Sequence, residues 1–338
     1  MARLLMIVSG ARAMTLADSK EHPTGYWAEE VIEPYKRFVE AGVDLVVATP
    51  GGRPPQADPW GLEPFFHYPQ LDEDFMFTVF RSFAQHAEDI RVTFHHFSEL
   101  NLVAARRVYL ALADAGMDRL AARELVESAA REAWRLDTDF IEILGGITAV
   151  TDLLPPAQLA GIRDDVWGDS EAEARSVAEA LAAIPELQHP RSLAELSDEE
   201  VRSFDGVFIP GGHGPMADLA GDPDMGRILR LMHEAGKTIA ALCHGPAALL
   251  AAPQVEGVWL FDGYKMTAFT DEEEDQTQAG KVGMPWYLEA ALKNRGAVFD
   301  DGDAAWVSHV VVDRNLITAQ NPGSSEAGAD AVLKRLGV

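Results

Sequence analysis

The feature that most constrains this chain is a short apolar segment that runs into a turn carrying its one cysteine. Thr238–Leu242 has the composition of a buried strand, the turn at 243–246 reads Cys-His-Gly-Pro, and 247–251 favours a helix. This order is typical of a nucleophile elbow, which lifts one side chain above a parallel sheet and points a helix N-terminus at it. We therefore predict that Cys243 is a nucleophile whose thiolate is favoured by the helix end and nearby N–H groups. A buried structural cysteine is the alternative interpretation.

Strand and helix patterns alternate in the first and last parts of the chain. At the beginning, apolar runs at 4–9 and 43–49 flank a helical pattern at 27–40. This alternation predicts a parallel sheet with right-handed crossovers. In the last part, strands are predicted at 206–209, 238–242, 264–268, 297–299, 306–312 and 316–319, and helices at 171–183, 224–235, 285–295 and 325–336.

The middle of the chain, 59–170, has a different character. Helices are predicted at 72–86, 100–115 and 120–136, with one possible short strand at 90–94. We interpret this stretch as a helical insertion, a lid or an oligomer contact, in an α/β core formed by 1–58 and 171–338. Its histidines and one glutamate fit no metal template, so no metal is predicted; they are His67, His86, His95, His96 and Glu99.

Composition narrows the classes of partner. The chain has 338 residues, 47% of them hydrophobic, so it can bury a sizeable core. Its 54 acidic against 28 basic residues give a formal charge of −26, which disfavours nucleic acid and anionic membranes as partners. One cysteine excludes an intrachain disulfide and fits a reducing compartment. No signal peptide or membrane span is evident, and we expect a cytoplasmic protein.

A cysteine nucleophile needs a base, an oxyanion site and a group that orients the base. His244 follows Cys243 directly, and at a turn neighbouring side chains can face each other, so His244 is the candidate base. Gly211, Gly212 and His213 end a predicted strand, where backbone N–H groups could form an oxyanion hole with that of His244.

Carboxylates near two helix starts are further candidates. The acidic run at 271–275 follows a predicted strand, and one of its members could orient His244, although a charged helix start alone would explain most of them. Glu29 and Glu30 follow an aromatic pair at 26–27, which suggests that one of them faces inward. A buried carboxyl has a raised pKa and can donate a hydrogen bond to a thiolate.

With these features assembled, the chain resembles the ThiJ/PfpI superfamily, whose fold is like that of the class I glutamine amidotransferases. The resemblance implies a flavodoxin-like sandwich, with a mostly parallel central sheet and helices on both faces, plus the inserted helical subdomain. It also implies a homodimer. The matching stretches are 25–34, 46–55, 204–214, 238–248, 267–274 and 310–322.

Within the superfamily, the chain is most similar to the heat-shock chaperone and glyoxalase III branch. That resemblance implies a catalytic triad of Cys243, His244 and Glu274, with Asp271 or Glu273 as alternatives for the acid. It also implies that Glu30 contacts the thiol. The oxyanion or substrate-binding positions then fall on Gly211, Gly212 and His213, together with the N–H of His244.

The implied activity is cofactor-independent conversion of a small electrophilic substrate, a 2-oxoaldehyde such as methylglyoxal, to a 2-hydroxy acid through a hemithioacetal on Cys243. The first alternative is a cysteine-dependent hydrolase or hydratase acting on a specialised metabolite that the helical insertion selects. The second is a stress chaperone or redox sensor. The helical stretch at 59–170 has no counterpart in the resemblance, so it leaves the substrate open.

Overall fold

The computed structural model describes residues 1–59, 107–113, 115–136, 138 and 140–338. The chain divides into two compact units, one formed by Met1–Glu63 and Ser176–Val338 and the other by Pro64–Arg175. The predicted helix at 72–86, the predicted strand at 90–94 and the histidines of the insertion lie outside the described residues.

A seven-stranded sheet organises the first unit. Its strand order is β12-β13-β7-β6-β1-β4-β5, and every neighbouring pair is parallel except β12 with β13. The predicted mostly parallel central sheet is therefore confirmed. The strands of this sheet are β1 (Arg3–Ile7), β4 (Asp44–Thr49), β5 (Arg191–Ser192), β6 (Gly206–Ile209), β7 (Thr238–Leu242), β12 (Val310–Asp313) and β13 (Leu316–Ala319).

Helices cover both faces of this sheet. Because successive strand residues point to opposite sides, each strand contributes apolar side chains to both packed faces. On β6, Val207 belongs to one buried cluster and Phe208 to the other. The first cluster includes residues of α9 (Pro223–Glu234), and the second includes residues of α1 (Ala28–Glu40) and α13 (Ser325–Leu336). Continuous apolar strands such as β6 and β7 are thus explained by burial on two sides.

The remaining elements of the described chain are short or belong to the helical part. Three two-stranded sheets are formed by β2 (Ala13–Thr15) with β3 (Glu21–Pro23), β8 (Gln254–Val255) with β9 (Val258–Trp259), and β10 (Lys265–Met266) with β11 (Val298–Phe299). The other α-helices are α2 (Arg119–Leu136), α3 (Phe140–Gly145), α4 (Thr148–Thr151), α5 (Pro156–Ala182), α6 (Pro185–Gln188), α7 (Asp198–Ser203), α8 (Gly214–Asp218), α10 (Asp271–Gln276), α11 (Gln278–Val282) and α12 (Leu288–Asn294). Short 3₁₀ helices occupy Pro50–Gly52, Leu193–Glu195, Gly245–Ala251 and Pro322–Ser324.

Several boundaries differ from the sequence prediction for identifiable reasons. The segment after Cys243 is a seven-residue 3₁₀ helix rather than an α-helix. Pro253 follows it and disfavours helical backbone at the preceding residue, Ala252, which is extended. The helix predicted at 171–183 begins earlier, at Pro156, a residue whose fixed φ suits a helix start. The strand predicted from 306 begins only at Val310, because Trp306 has a φ of 66°.

The second unit has its own apolar core. A further helical stretch covers 107–113, and α2 carries the periodicity that predicted a helix at 120–136. Buried residues of these segments pack with α3 and α4 around Phe140, Leu144 and Val150. Within the described residues, no helix combines the length and apolar character that crossing a membrane requires.

Candidate active site

Cys243 lies on a strained turn at the carboxyl end of β7. Its φ is 58°, in the left-handed region that side chains other than glycine rarely adopt. The turn packs tightly against the end of β6, since a Cβ added to Gly211 would lie 2.6 Å from the backbone nitrogen of His244. A Cβ on Gly245 would lie 2.3 Å from the carbonyl oxygen of Ile209. Two glycines therefore allow the elbow that the sequence pattern predicts.

The thiol, an imidazole and a carboxylate are hydrogen-bonded in series. Cys243 Sγ lies 3.3 Å from His244 Nδ1, and His244 Nε2 lies 2.7 Å from Glu274 Oε2. All three residues are at most 3% exposed. The ring of Phe269 packs 4.4 Å from that of His244, centroid to centroid, and helps to fix its orientation. The structure thus brings together the three residues that the resemblance implies.

The acidic run resolves into separate roles. Glu273 forms a capping box with Thr270 at the start of α10, and its buried carboxylate also accepts hydrogen bonds from the side chains of Gln320 and Asn321. Asp271 donates its backbone N–H to Glu289 at the first turn. Glu274 alone of the run contacts His244. A threonine three residues before a glutamate is a capping-box signal, and it could have set this register from the sequence.

Glu30 connects the first helix to the elbow. It is fully buried on α1, and its Oε2 accepts the backbone N–H of Gly211 at 2.6 Å. Burial raises its pKa to about 8, so the carboxyl is mostly protonated at neutral pH. Its Oε1 has no hydrogen-bond partner meeting normal geometry among the described residues, and the carboxyl interacts with Cys243. A protonated Glu30 can therefore donate a hydrogen bond to a thiolate.

The ionisation of the thiol differs from the sequence expectation. Burial, with the adjacent Glu30 carboxyl, raises the pKa of the Cys243 thiol well above its ordinary value. The backbone N–H of Gly212 acts in the opposite direction but is outweighed. Burial and the charge of His213 lower the pKa of His244, which leaves its imidazole neutral and able to accept a proton. The resting site is therefore a thiol beside a neutral base rather than a preformed thiolate.

The predicted oxyanion segment has more specific contacts than the sequence indicated. The N–H of Gly211 donates to the Glu30 carboxyl, and the carbonyl of Gly211 accepts the N–H of Trp27. Neither backbone group of Gly211 is therefore available for an oxyanion. The N–H of Gly212 acts on the thiol of Cys243, whose pKa it lowers. The ring of His213 faces the carboxylate of the triad, because its Nε2 lies 2.8 Å from Glu274 Oε1. Sequence reasoning missed this second imidazole on the carboxylate.

His213, His244 and Glu274 place their ligand-type atoms within 4.8 Å of one another. The nitrogen–oxygen separations are 2.7 and 2.8 Å, which are hydrogen-bond distances. Two ligands of one tetrahedral ion lie farther apart, at roughly 3.3 Å for metal–ligand distances of about 2.0–2.1 Å. This arrangement fits protons between the groups better than a metal ion.

Comparison with known proteins agrees with this class of fold. Residues 186–335 match the DJ-1/PfpI family. Glutamine amidotransferase-like class 1 domain-containing protein 1 of Homo sapiens is 35% identical over 152 residues, which are 44% of this chain and 68% of the human protein. The chain belongs to the DJ-1/PfpI family. Residues 101–167, in the helical part, match the adenylosuccinate lyase C-terminus family.

Two further relatives carry names that describe reactions. Glyoxalase 3 of Candida albicans is 30% identical over 148 residues, 42% of this chain and 62% of that protein. Protein/nucleic acid deglycase HchA of Pseudomonas aeruginosa is 31% identical over 186 residues, 50% of this chain and 61% of that protein. The crystal structure of glyoxalase III from Candida albicans aligns over 98% of this chain and 96% of its own, with a TM-score of 0.54 and 16% identity. That alignment supports the fold.

Proposed function

We propose that this protein is a cofactor-independent cysteine enzyme that converts a small 2-oxoaldehyde, such as methylglyoxal, to the corresponding 2-hydroxy acid. The observation that carries the proposal is the buried series of Cys243, His244 and Glu274, with a protonated carboxyl of Glu30 beside the thiol. The names of two relatives, glyoxalase 3 and deglycase, support a reactive carbonyl as the substrate class.

The first step is attack on the aldehyde carbon. His244 Nδ1 takes the proton of Cys243 as the sulfur bonds to that carbon, and the carbonyl electron pair moves to oxygen. Glu274 stabilises the imidazolium that forms, as the acid of a catalytic triad does. The oxyanion accepts hydrogen bonds from two backbone donors, the N–H of Gly212, which acts on the sulfur in the resting site, and the N–H of His244. Protonation of the oxyanion by His244 gives a neutral hemithioacetal.

The second step moves hydrogen between neighbouring carbons. Neutral His244 removes the proton from the former aldehyde carbon, and the electron pair passes to the adjacent ketone. The ketone oxygen then takes a proton from His244 to give an enediol. Return of a proton to the second carbon, and loss of one from the hydroxyl on the first, give a thioester. One carbon is oxidised and its neighbour reduced, so no external oxidant is needed. Each proton transfer by a positioned base contributes about 10²–10⁴-fold.

Water completes the reaction. It adds to the thioester carbon, the carbon–sulfur bond breaks, and the 2-hydroxy acid leaves while Cys243 recovers its proton. The sum is one 2-oxoaldehyde and one water consumed for each 2-hydroxy acid formed. Glu30 supports the sulfur each time it leaves as a thiolate, since a buried protonated carboxyl can donate to it.

A deglycase activity is the second candidate, because a relative with that name is 31% identical over 186 residues. It would use the same sulfur on a carbonyl adduct already attached to an amine, thiol or nucleobase. That relative's name also includes nucleic acid, so the expectation of no nucleic-acid partner stays a prediction. The two candidates differ in whether the free aldehyde or its adduct is consumed faster at equal concentration.

The proposed function predicts lactate from methylglyoxal with no added thiol or metal. In D₂O, the enediol route places deuterium on the second carbon of lactate, because a base-borne proton exchanges with solvent. Proton NMR of the product measures this directly. Absence of turnover by folded protein would remove the proposal, and lactate without deuterium would instead indicate direct hydride transfer.

A further inference from the structure

Glu274 accepts hydrogen bonds from two imidazoles rather than one. Its Oε2 faces His244 Nε2 at 2.7 Å, and its Oε1 faces His213 Nε2 at 2.8 Å. The two rings are 4.3 Å apart, centroid to centroid, and tilted by 45°. Glu274 is 2% exposed. Its single negative charge therefore interacts with both imidazoles with little screening by water.

In the resting site, where the thiol is neutral, both imidazoles cannot readily be charged together. Two positive rings this close repel strongly in a buried site, and the single carboxylate balances only one of them. The charge is therefore shared unequally, and the geometry decides which ring carries it. His244 must keep a lone pair on Nδ1 to accept the proton of Cys243, whereas nothing requires His213 to be neutral. During the reaction, the oxyanion that forms as Cys243 gives up its proton balances the second positive charge.

The surroundings favour charge on His213. Its side chain is 12% exposed against 3% for that of His244. Burial lowers the pKa of His213, but the charge and hydrogen bond of Glu274 outweigh burial and raise it, with Asp58 acting in the same direction. For His244, burial and the charge of His213 outweigh the influence of Glu274 and Glu273 and lower the pKa.

We infer that His213 is a positioning residue: it carries the positive charge that pairs with the Glu274 carboxylate and thereby keeps His244 neutral as the base for Cys243. The inference rests on the proposed function for its kinetic consequence only. His213 acts on the thiol through Glu274 and His244. The other titratable group that it influences in the described chain is His22 on β3.

His213→Gln tests this role without removing the hydrogen bond. A glutamine amide can still donate to Glu274 Oε1, but it carries no charge. Loss of the neighbouring positive charge, and of the competitor for the carboxylate, raises the pKa of His244. His244 is then protonated at a higher pH and cannot accept the thiol proton there. His189→Gln, at an exposed surface position, is the matched control.

Two measurements give the outcome. In NMR titrations of ¹⁵N-labelled histidine without substrate, His213 should take up a proton before His244, and His244 should titrate at higher pH in the variant. In kinetics, the acid limb of kcat/KM should move to higher pH, with about a tenfold loss at the acid end, the factor for one pH unit, and recovery at alkaline pH. Titration of His244 before His213, or an equal loss at every pH, would overturn the inference. Because the titration needs no substrate, failure of the proposed function would not affect it.

Discussion

Cys243→Ala is expected to reduce methylglyoxal turnover to the rate without enzyme while the protein stays folded. Every intermediate in the proposed route, from the hemithioacetal to the thioester, is bonded to Sγ, so no partial route survives its removal. Alanine fills the same backbone position with a smaller side chain, although the left-handed φ of 58° remains unfavourable for it. Lactate formation measured by NMR, together with circular dichroism and thermal unfolding, checks the prediction.

The control for Cys243→Ala is a measurement of its folded-state stability. A lost sulfur in a buried site should cost a modest amount of stability, about 1–2 kcal/mol for one small buried group. If Cys243→Ala unfolds, its loss of activity does not identify the nucleophile. Cys243→Ser, whose side chain is closer in size to cysteine, then replaces it in the comparison. Turnover by a folded Cys243→Ala protein at more than one hundredth of the wild-type rate would contradict the assignment of the nucleophile.

Glu274→Gln is expected to lower kcat by about 10³-fold or more. The amide cannot stabilise an imidazolium, and its NH₂ group can force the proton of His244 onto Nδ1, where it blocks transfer from the thiol. A carboxylate-to-amide change in the serine protease triad, for comparison, costs about 10⁴-fold in kcat. Steady-state kinetics with methylglyoxal measures the effect.

Glu272→Gln is the matched control, since Glu272 lies on the same helix, α10, but is exposed. It removes one negative charge at nearly the same place without touching His244. Equal losses in the two variants would show that general charge, rather than the hydrogen bond to His244 Nε2, is responsible. Such a result would contradict the role of Glu274.

The sequence predicted the sheet well because its strands are buried on both sides. β6, β7 and β13 match the predicted ranges since continuous apolar runs between turns leave little freedom in register. Observed boundaries differ from the predicted ones where a single residue restricts the backbone. Pro253 follows the end of the 3₁₀ helix, and Trp306 has a left-handed φ before the last strand pair.

Only the parts of the site that lie in short local motifs were predictable from the sequence. Cys243 and His244 follow from the elbow pattern. The aromatic-flanked acidic pair left Glu29 and Glu30 as alternatives, and only the family resemblance selected Glu30. The contact between His213 and Glu274 joins residues 61 positions apart and has no local signature. The raised pKa of Cys243 was equally hidden, because it arises from burial by the whole fold and from Glu30. The homodimer and the role of the helical insertion stay predictions.

The most direct test of a carbonyl bound to Cys243 is ¹³C NMR of His244→Asn protein mixed with methylglyoxal labelled at the aldehyde carbon. Asparagine cannot remove the proton from that carbon, so the hemithioacetal is not consumed. Without His244 the thiol adds more slowly, so the mixture is kept at alkaline pH until binding reaches equilibrium, and the hemithioacetal should accumulate. The account predicts a saturable, protein-bound resonance of a tetrahedral carbon attached to sulfur, absent when Cys243→Ala is combined with His244→Asn. No bound resonance, or one that persists without the sulfur, would contradict it.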